Sequence, residues 1–340
     1  MRRRAFITLL GASGAGACFA NPAARPERFE FEQPQMGVPF RIVLYATDEA
    51  HAGAAAKAAF ARIAELNAAL SDYEENSELS RLSRSSGAGK AVKVSDDLWR
   101  VLDRAQLVAK ASDGAFDVTC GPLVQLWRRA RRQRELPASD KLAASRKAVG
   151  FSKLVLGEKA RTAKLVAPDM RLDLGAIAKG FAADEALKNL RAHGIGRALV
   201  AGGGDMAVGD APPGRSGWRI KLAAHDAEGA PPAEFIELED CGFATSGDLF
   251  QHVEIGGKRH SHIVDPRTGV GLTDHSLVFV IAPDAMRADS LSTAVSVLGP
   301  AAGLKLIARS RGAEARIVRK PDGKIEVAES PGFAKFRAWK

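Results

Sequence analysis

Residues 180–193, GFAADEALKNLRAH, followed by residues 199–208, LVAGGGDMAV, form the stretch on which the fold class turns. The first run spaces its apolar residues as a helix does, and the second reads as a strand broken by glycines. A dinucleotide-binding unit would place G-x-G-x-x-G after the strand and open a helix on it. Gly202-Gly203-Gly204-Asp205 has neither that spacing nor a helix signature directly behind it, so the glycines read as a tight turn with a close backbone approach. Working outward, His51 to Leu70 and Ser95 to Ser112 read as amphipathic helices. The second carries the stripe Leu98, Val101, Leu102, Ala105 and Val108, and Ala288 to Leu298 repeats the helical pattern. Phe29 to Ala46 reads as a strand pair interrupted by Gly37 and Pro39, and Trp218–Ala223 and Leu277–Ile281 as further strands. Strands and helices alternate without the regular beat of a doubly wound sheet, so the expected class is α+β.

The chain has 340 residues, of which 46% are apolar and 26% charged, enough to bury a substantial core and unlike a collagen, a coiled coil or a polytopic membrane protein. Three cysteines without a CxxC pair exclude a disulfide scaffold and a thiolate zinc cage, so any metal is held mainly by oxygen or nitrogen. Cys120 and Cys241 stay open as a possible bridge. Arg2, Arg3 and Arg4 precede a weakly apolar run and the small residues Ala15, Ala17 and Ala20, the layout of a cleaved export signal over residues 1–20. Arg3-Arg4-Ala5-Phe6-Ile7 gives it a twin-arginine character, and Cys18 offers a less favoured lipidation reading because Ala15 stands where Leu is expected. The expectation is a periplasmic protein, with residues 21–340 as one domain and no transmembrane span in the mature chain. Loss of residues 1–20 lowers the formal charge from +9 to +6. Arg128, Arg129, Arg131, Arg132 and Arg134 crowd together, but no aromatic residues interleave them, so they read as a solvated helix face and no nucleic-acid partner is expected.

Four segments hold polar residues that neither a core nor a plain surface calls for. They are Ser71-Asp72-Tyr73, Gly114 to Thr119, Leu172 to Gly180, and Thr245-Ser246-Gly247-Asp248 continuing through His262 to Gly269 and on to Asp289 and Thr293. Lys179, flanked by Ala178, Gly180 and Phe181, is costly to bury unless an anion such as a phosphate pairs with it. Asp289 and Thr293, four apart in a helical pattern, present two hard oxygen donors on one face, which suits Mg2+. His262 precedes a turn at Asp265 to Gly269, where an imidazole could take a proton from an incoming hydroxyl; His260 is its structural counterpart.

Taken in order, these segments resemble the ApbE family of FAD:protein FMN transferases. The matching stretches are Met36-Gly37, Leu70 to Tyr73, Gly114 to Thr119 with Gly121-Pro122-Leu123, Leu172 to Asp184, Gly203-Gly204-Asp205, Ala244 to Asp248, His262 to Gly269 and Ala288 to Thr293. The resemblance implies an α+β, T-fold-related, two-lobed architecture with the FAD site between the lobes. It implies transfer of FMN from FAD to a Ser or Thr hydroxyl of an acceptor flavoprotein, exported or membrane-bound, with release of AMP. By likeness Met36, Tyr73, Ala115, Phe116, Asp117, Asp173, Lys179 and Ile263 are FAD contacts, the Ala176 main-chain oxygen, Asp289 and Thr293 are Mg2+ ligands, and His262 is the base. Two positions depart from the family pattern: Val38 replaces the usual Thr, and Val270-Gly271 stands where a Pro is expected. The rival readings are an FAD diphosphatase and a non-catalytic FAD carrier.

Overall fold

The computed structural model describes residues 25–223, 234–248, 251–321 and 324–338, so the leader and Cys18 lie outside the described residues. In chain order the strands are β1 (Glu27–Gln35), β2 (Val38–Ala46), β3 (Val92–Lys93), β4 (Leu154–Gly157), β5 (Thr162–Leu165), β6 (Ala198–Gly202), β7 (Asp205–Val208) and β8 (Trp218–Lys221). They continue as β9 (Phe235–Leu238), β10 (Cys241–Gly247), β11 (His252–Ile255), β12 (Lys258–Ser261), β13 (Ser276–Ala282), β14 (Glu314–Arg319) and β15 (Glu326–Glu329). The helices are α1 (Glu49–Leu70), α2 (Glu78–Arg84), α3 (Asp96–Ala111), α4 (Gly121–Gln133), α5 (Ser139–Ala148), α6 (Ala178–Ala192) and α7 (Ala285–Arg309).

Eight strands form one sheet in the order β1-β2-β6-β7-β10-β13-β14-β15, antiparallel at every pairing. This is the α+β class. The second quoted stretch is a hairpin: β6 and β7 pair with Gly202 opposite Asp205, and Gly203 turns at φ 64°. The pairing of β1 with β2 turns at Met36 and Gly37, and Pro39 lies within β2, one residue beyond the pairing with β6 that begins at Phe40.

Side chains alternate between the faces of a sheet, so each strand serves two cores. Ile42, Leu44, Val200, Ala207, Val278, Val280 and Ile317 face α1, α6 and α7. Their neighbours Val43, Leu199, Val208, Phe243, Phe279 and Val318 face Trp218, Ile220, Ile236 and Leu238 of the β8–β9 ribbon. A smaller apolar cluster joins Leu123, Trp127 and Ala130 of α4 to Val149 and Val264.

The caps explain the helix ends. Asp48 and Ser95 accept from the backbone N–H groups of His51 and Leu98, starting α1 and α3. The expected helix at Ala288–Leu298 begins earlier, at Ala285, because the N-cap Asp284 accepts from the Arg287 N–H and Asp184 accepts from the Ala285 and Met286 N–H groups. It also runs on to Arg309, interrupted at Gly299, whose φ is 70° ahead of Pro300. By length and composition α7 is apolar enough to cross a membrane. Here it packs on α6, β10 and β13 with Ala288, Leu291, Ala294 and Val295 buried, the setting of a core helix.

Candidate active site

The site grows from the start of α6. Gly180 lets α6 and α7 meet, since a Cβ there would collide with the Ala285 carbonyl and lie 2.9 Å from the Asp289 Cβ. The close approach has an electronic consequence. Gly180 is the third residue of α6, so its N–H finds no carbonyl within the helix and donates instead to Asp289 Oδ2 at 3.1 Å. Among the described residues no backbone hydrogen bond ends on the Ala176 oxygen. A carbonyl without a backbone partner just ahead of a helix start is an oxygen of the kind that hard cations take as a ligand. Thr293, one turn beyond Asp289, has its hydroxyl 3.3 Å from Ser246 Oγ, which is also 2.7 Å from Ser292 Oγ. The three proposed metal groups therefore fit an oxygen-ligated ion, although no cluster of three or more His, Cys, Asp or Glu exists among the described residues.

Lys179 stands over this group. Its Nζ is 2.7 Å from Asp205 Oδ2 and 3.8 Å from Asp289 Oδ2, and it donates to the Gly175 carbonyl at 3.1 Å. Asp205 and Asp289 are 3% and 2% exposed, so two carboxylates withdrawn from water share one partly exposed ammonium. Burial works against the Lys179 charge, but Asp205 and Asp289 outweigh it and hold its pKa well above the ordinary value. Burial first, then the Asp205 charge, pushes Asp289 up to about 7. A site with one carboxylate more than it can neutralise is prepared for a cation. Asp205, which the sequence placed in the matching stretch Gly203-Gly204-Asp205 without a role of its own, is brought to Lys179 by its place opposite Gly202 in the hairpin.

A second group forms a wall beside it. Asp173 accepts from Gly175 N at 2.8 Å and from Arg128 Nη2 at 2.8 Å, and Arg128 Nη1 reaches Asp72 at 2.5 Å. The Arg128 guanidinium lies 4.3 Å from the centre of the Tyr73 ring, and Tyr73 is 74% exposed. One ring face is thus held and the side chain is open to an aromatic partner. The reading of the arginine run as a solvated face holds for Arg129, Arg132 and Arg134, which are exposed, and is corrected for Arg128, mostly buried in ion pairs, and Arg131, half-buried, because that side of α4 lies against residues 72 and 173.

His262 hydrogen-bonds through Nδ1 to the Gln251 carbonyl at 3.0 Å, so Nδ1 carries the proton and Nε2 the lone pair. Withdrawal from water, with added repulsion from Arg131 and Lys179, lowers its pKa to about 4, and the ring is neutral at pH 7. His260 is buried against Trp127, with ring centres 5.0 Å apart, a packing role.

The remaining candidates surround these groups. Met36 sits in the β1–β2 turn, half-buried against the main core, and Ile263 is buried next to His262. Ala115 and Phe116 are buried, and the Asp117 carboxylate accepts from the Thr119 N–H at 2.8 Å and hydroxyl at 2.7 Å. Asp173 N donates to the Val118 carbonyl, which ties that segment to the Arg128 wall. Gly114 and Asp117 also line a cleft of about 490 Å3 with Gly150, Phe151, Pro266 and Arg267; Lys179 and Asp289 are not in its lining. Cys120 and Cys241 are both free thiols, so the possible bridge is absent.

Lys179, Asp205, Asp289 and Thr293 come from elements of the large sheet core, whereas Arg128 and His262 come from α4 and the residue before the segment containing Val264. A 34% identical relative, the FAD:protein FMN transferase of Haemophilus influenzae, aligns over 78% of this chain and 79% of its own length. The FAD:protein FMN transferase of Treponema pallidum is 31% identical over 93% of this chain and 90% of its own. Among solved structures, the flavin transferase ApbE from Vibrio cholerae superposes with a TM-score of 0.81 at 28% identity, covering 92% of this chain and 99% of that one. The model of the ApbE family matches from residue 36 to residue 317, which takes in every group described above, and the chain belongs to the ApbE family.

Proposed function

We propose that this chain transfers the FMN half of FAD to a Ser or Thr hydroxyl of an acceptor flavoprotein, in a Mg2+-dependent reaction that releases AMP. The observation that carries the reading is the Lys179–Asp205–Asp289 group at the start of α6, where Asp289 also accepts from the Gly180 N–H. Relatives named FAD:protein FMN transferase support the reaction class.

Held by the Ala176 oxygen, Asp289 and Thr293, Mg2+ would neutralise charge on the diphosphate of FAD. Lys179, protonated at all working pH values, adds a second positive charge, and the N-terminus of α6, which has no side-chain cap, adds its dipole. Tyr73, backed by Arg128, takes a ring of the dinucleotide on its open face. The acceptor oxygen bonds to the FMN phosphorus as its proton passes to His262 Nε2, and the bond to the AMP phosphate breaks with its electron pair leaving on AMP. Phosphoryl transfer depends mainly on position and electrostatics, so little further machinery is required. The arginine-led residues 1–20 support action outside the cytoplasm, by residues 21–340 as a single domain.

The test is incubation with FAD, Mg2+ and a co-expressed exported flavoprotein. Transfer leaves flavin fluorescence and an FMN mass on the denatured acceptor, with one AMP per label. Free FMN and AMP without a labelled protein would make the chain a diphosphatase, and absence of AMP under all conditions would make it a carrier.

A further inference from the structure

The arginine run is only partly explained by Arg128. Among the described residues Arg129, Arg131 and Arg132 of α4 and its C-cap Arg134 have no carboxylate partner: Arg129 bonds to Gln133, and Arg131 makes one long hydrogen bond, 3.4 Å, to Gln251 Oε1. Arg131 is half-buried, and a guanidinium withdrawn from water without an acid carries an unanswered desolvation cost. Burial and the nearby Arg128 both weaken its hold on its proton.

Helical spacing puts positions 128, 131 and 132 on one face of α4, while Trp127 and Ala130 are buried in the small core. That face starts at the Tyr73–Asp173 wall, through Arg128, and continues to Gln251. The same Gln251 holds the imidazole: its side chain takes Arg131 and its main-chain oxygen takes His262. The diphosphate is already answered by Lys179 and the metal ligands, so the charge missing at Arg131 belongs to another participant. Gln251 joins this face to the imidazole, so a protein segment bringing a hydroxyl to His262 would pass beside these arginines.

We infer that the Arg131–Arg132 face of α4 docks an acidic segment of the acceptor protein, with its carboxylates flanking the hydroxyl delivered to His262. The inference rests on the transfer reading above and gives the chemistry of its partner. Charge complementarity of this kind chiefly sets partner choice and encounter rate.

The test uses the full chain with FAD and Mg2+ and a fluorescein-labelled peptide in which aspartates flank a central threonine, beside the same peptide with asparagines. Binding is read by anisotropy at low and at physiological salt. The aspartate peptide is expected to bind about tenfold more tightly. Arg131→Gln combined with Arg132→Gln should abolish the difference, Arg131→Lys should largely retain it, and the distant Arg309→Gln should not change it. Equal binding of the two peptides, or a full preference in the double variant, overturns the inference. Displacement of the peptide by ADP would assign these arginines to the nucleotide, and displacement by phosphatidylglycerol vesicles would assign them to a membrane; either result overturns it. Because binding is read without turnover, a failure of FMN transfer to any protein would sink the transfer reading while leaving the peptide discrimination to stand or fall separately.

Discussion

Asp205→Asn removes one of the two carboxylates that share Lys179 with almost no change of shape. At 2.7 Å, and with an effective dielectric of about 20, the Asp205–Lys179 attraction is about 6 kcal/mol before desolvation. The Asp289–Lys179 pair at 3.8 Å is worth about 4 kcal/mol on the same scale, and it survives the substitution. Breaking a buried pair outright costs about 3–5 kcal/mol, so with Asp289 and the Gly175 carbonyl still serving Lys179 the expected loss of stability is about 2–3 kcal/mol. A second effect has a definite sign. Without the Asp205 charge, the Asp289 carboxyl falls from about 7 toward the ordinary range and stays ionised at neutrality. Lys179 then pairs with Asp289 alone and the surplus negative charge is gone, so above about pH 8, where a proton no longer competes for Asp289 in either protein, Mg2+ affinity drops even though no proposed ligand has been touched. Urea unfolding at pH 7 and, in that alkaline range, calorimetric Mg2+ titration of the same variant measure the two effects. A stability loss below about 0.5 kcal/mol together with unchanged Mg2+ binding would refute the shared-lysine argument.

The wild-type site should take up Mg2+ more weakly as pH falls through about 7, because the ion must displace a proton from Asp289. Calorimetry in buffers of different ionisation enthalpy should find about half a proton released at pH 7, rising toward one about a pH unit lower, and no proton release would remove Asp289 from the ligand set. His262→Ala should lower kcat by at least about a hundredfold while changing FAD affinity little, and the wild-type rate should show no loss from this group until pH approaches about 4. Equal losses in kcat and in FAD affinity would make His262 a binder instead of a base. Gly180→Ala forces α6 from α7 and should cost about 1–3 kcal/mol in urea unfolding while impairing Mg2+ binding, since the Gly180 N–H holds Asp289.

The sequence by itself determined the class and much of the frame. Helical periodicity placed α1 and α3 within a residue or two, because Asp48 and Ser95 are local caps whose effect needs no distant partner. It also supplied Lys179, Asp289, Thr293 and His262, since a lysine among small apolar neighbours and a carboxylate one helical turn from a hydroxyl are visible in one dimension. It did not supply a role for Asp205 or Arg128, or the start of α7. Asp205 stood at the end of a glycine turn until the hairpin brought it to Lys179, and Arg128 looked solvated with the rest of its run until α4 was laid against Asp72 and Asp173. Asp184, a hundred residues upstream, fixes the beginning of α7. Only the tertiary structure brought the Asp289 carboxylate to the start of α6, where it takes the otherwise unpartnered Gly180 N–H. The division has a physical cause: patterns set by one helix turn or one strand pleat are written in neighbouring residues. The charge balance of a buried site depends on which distant groups lose their water together, and that is decided only when the chain is packed.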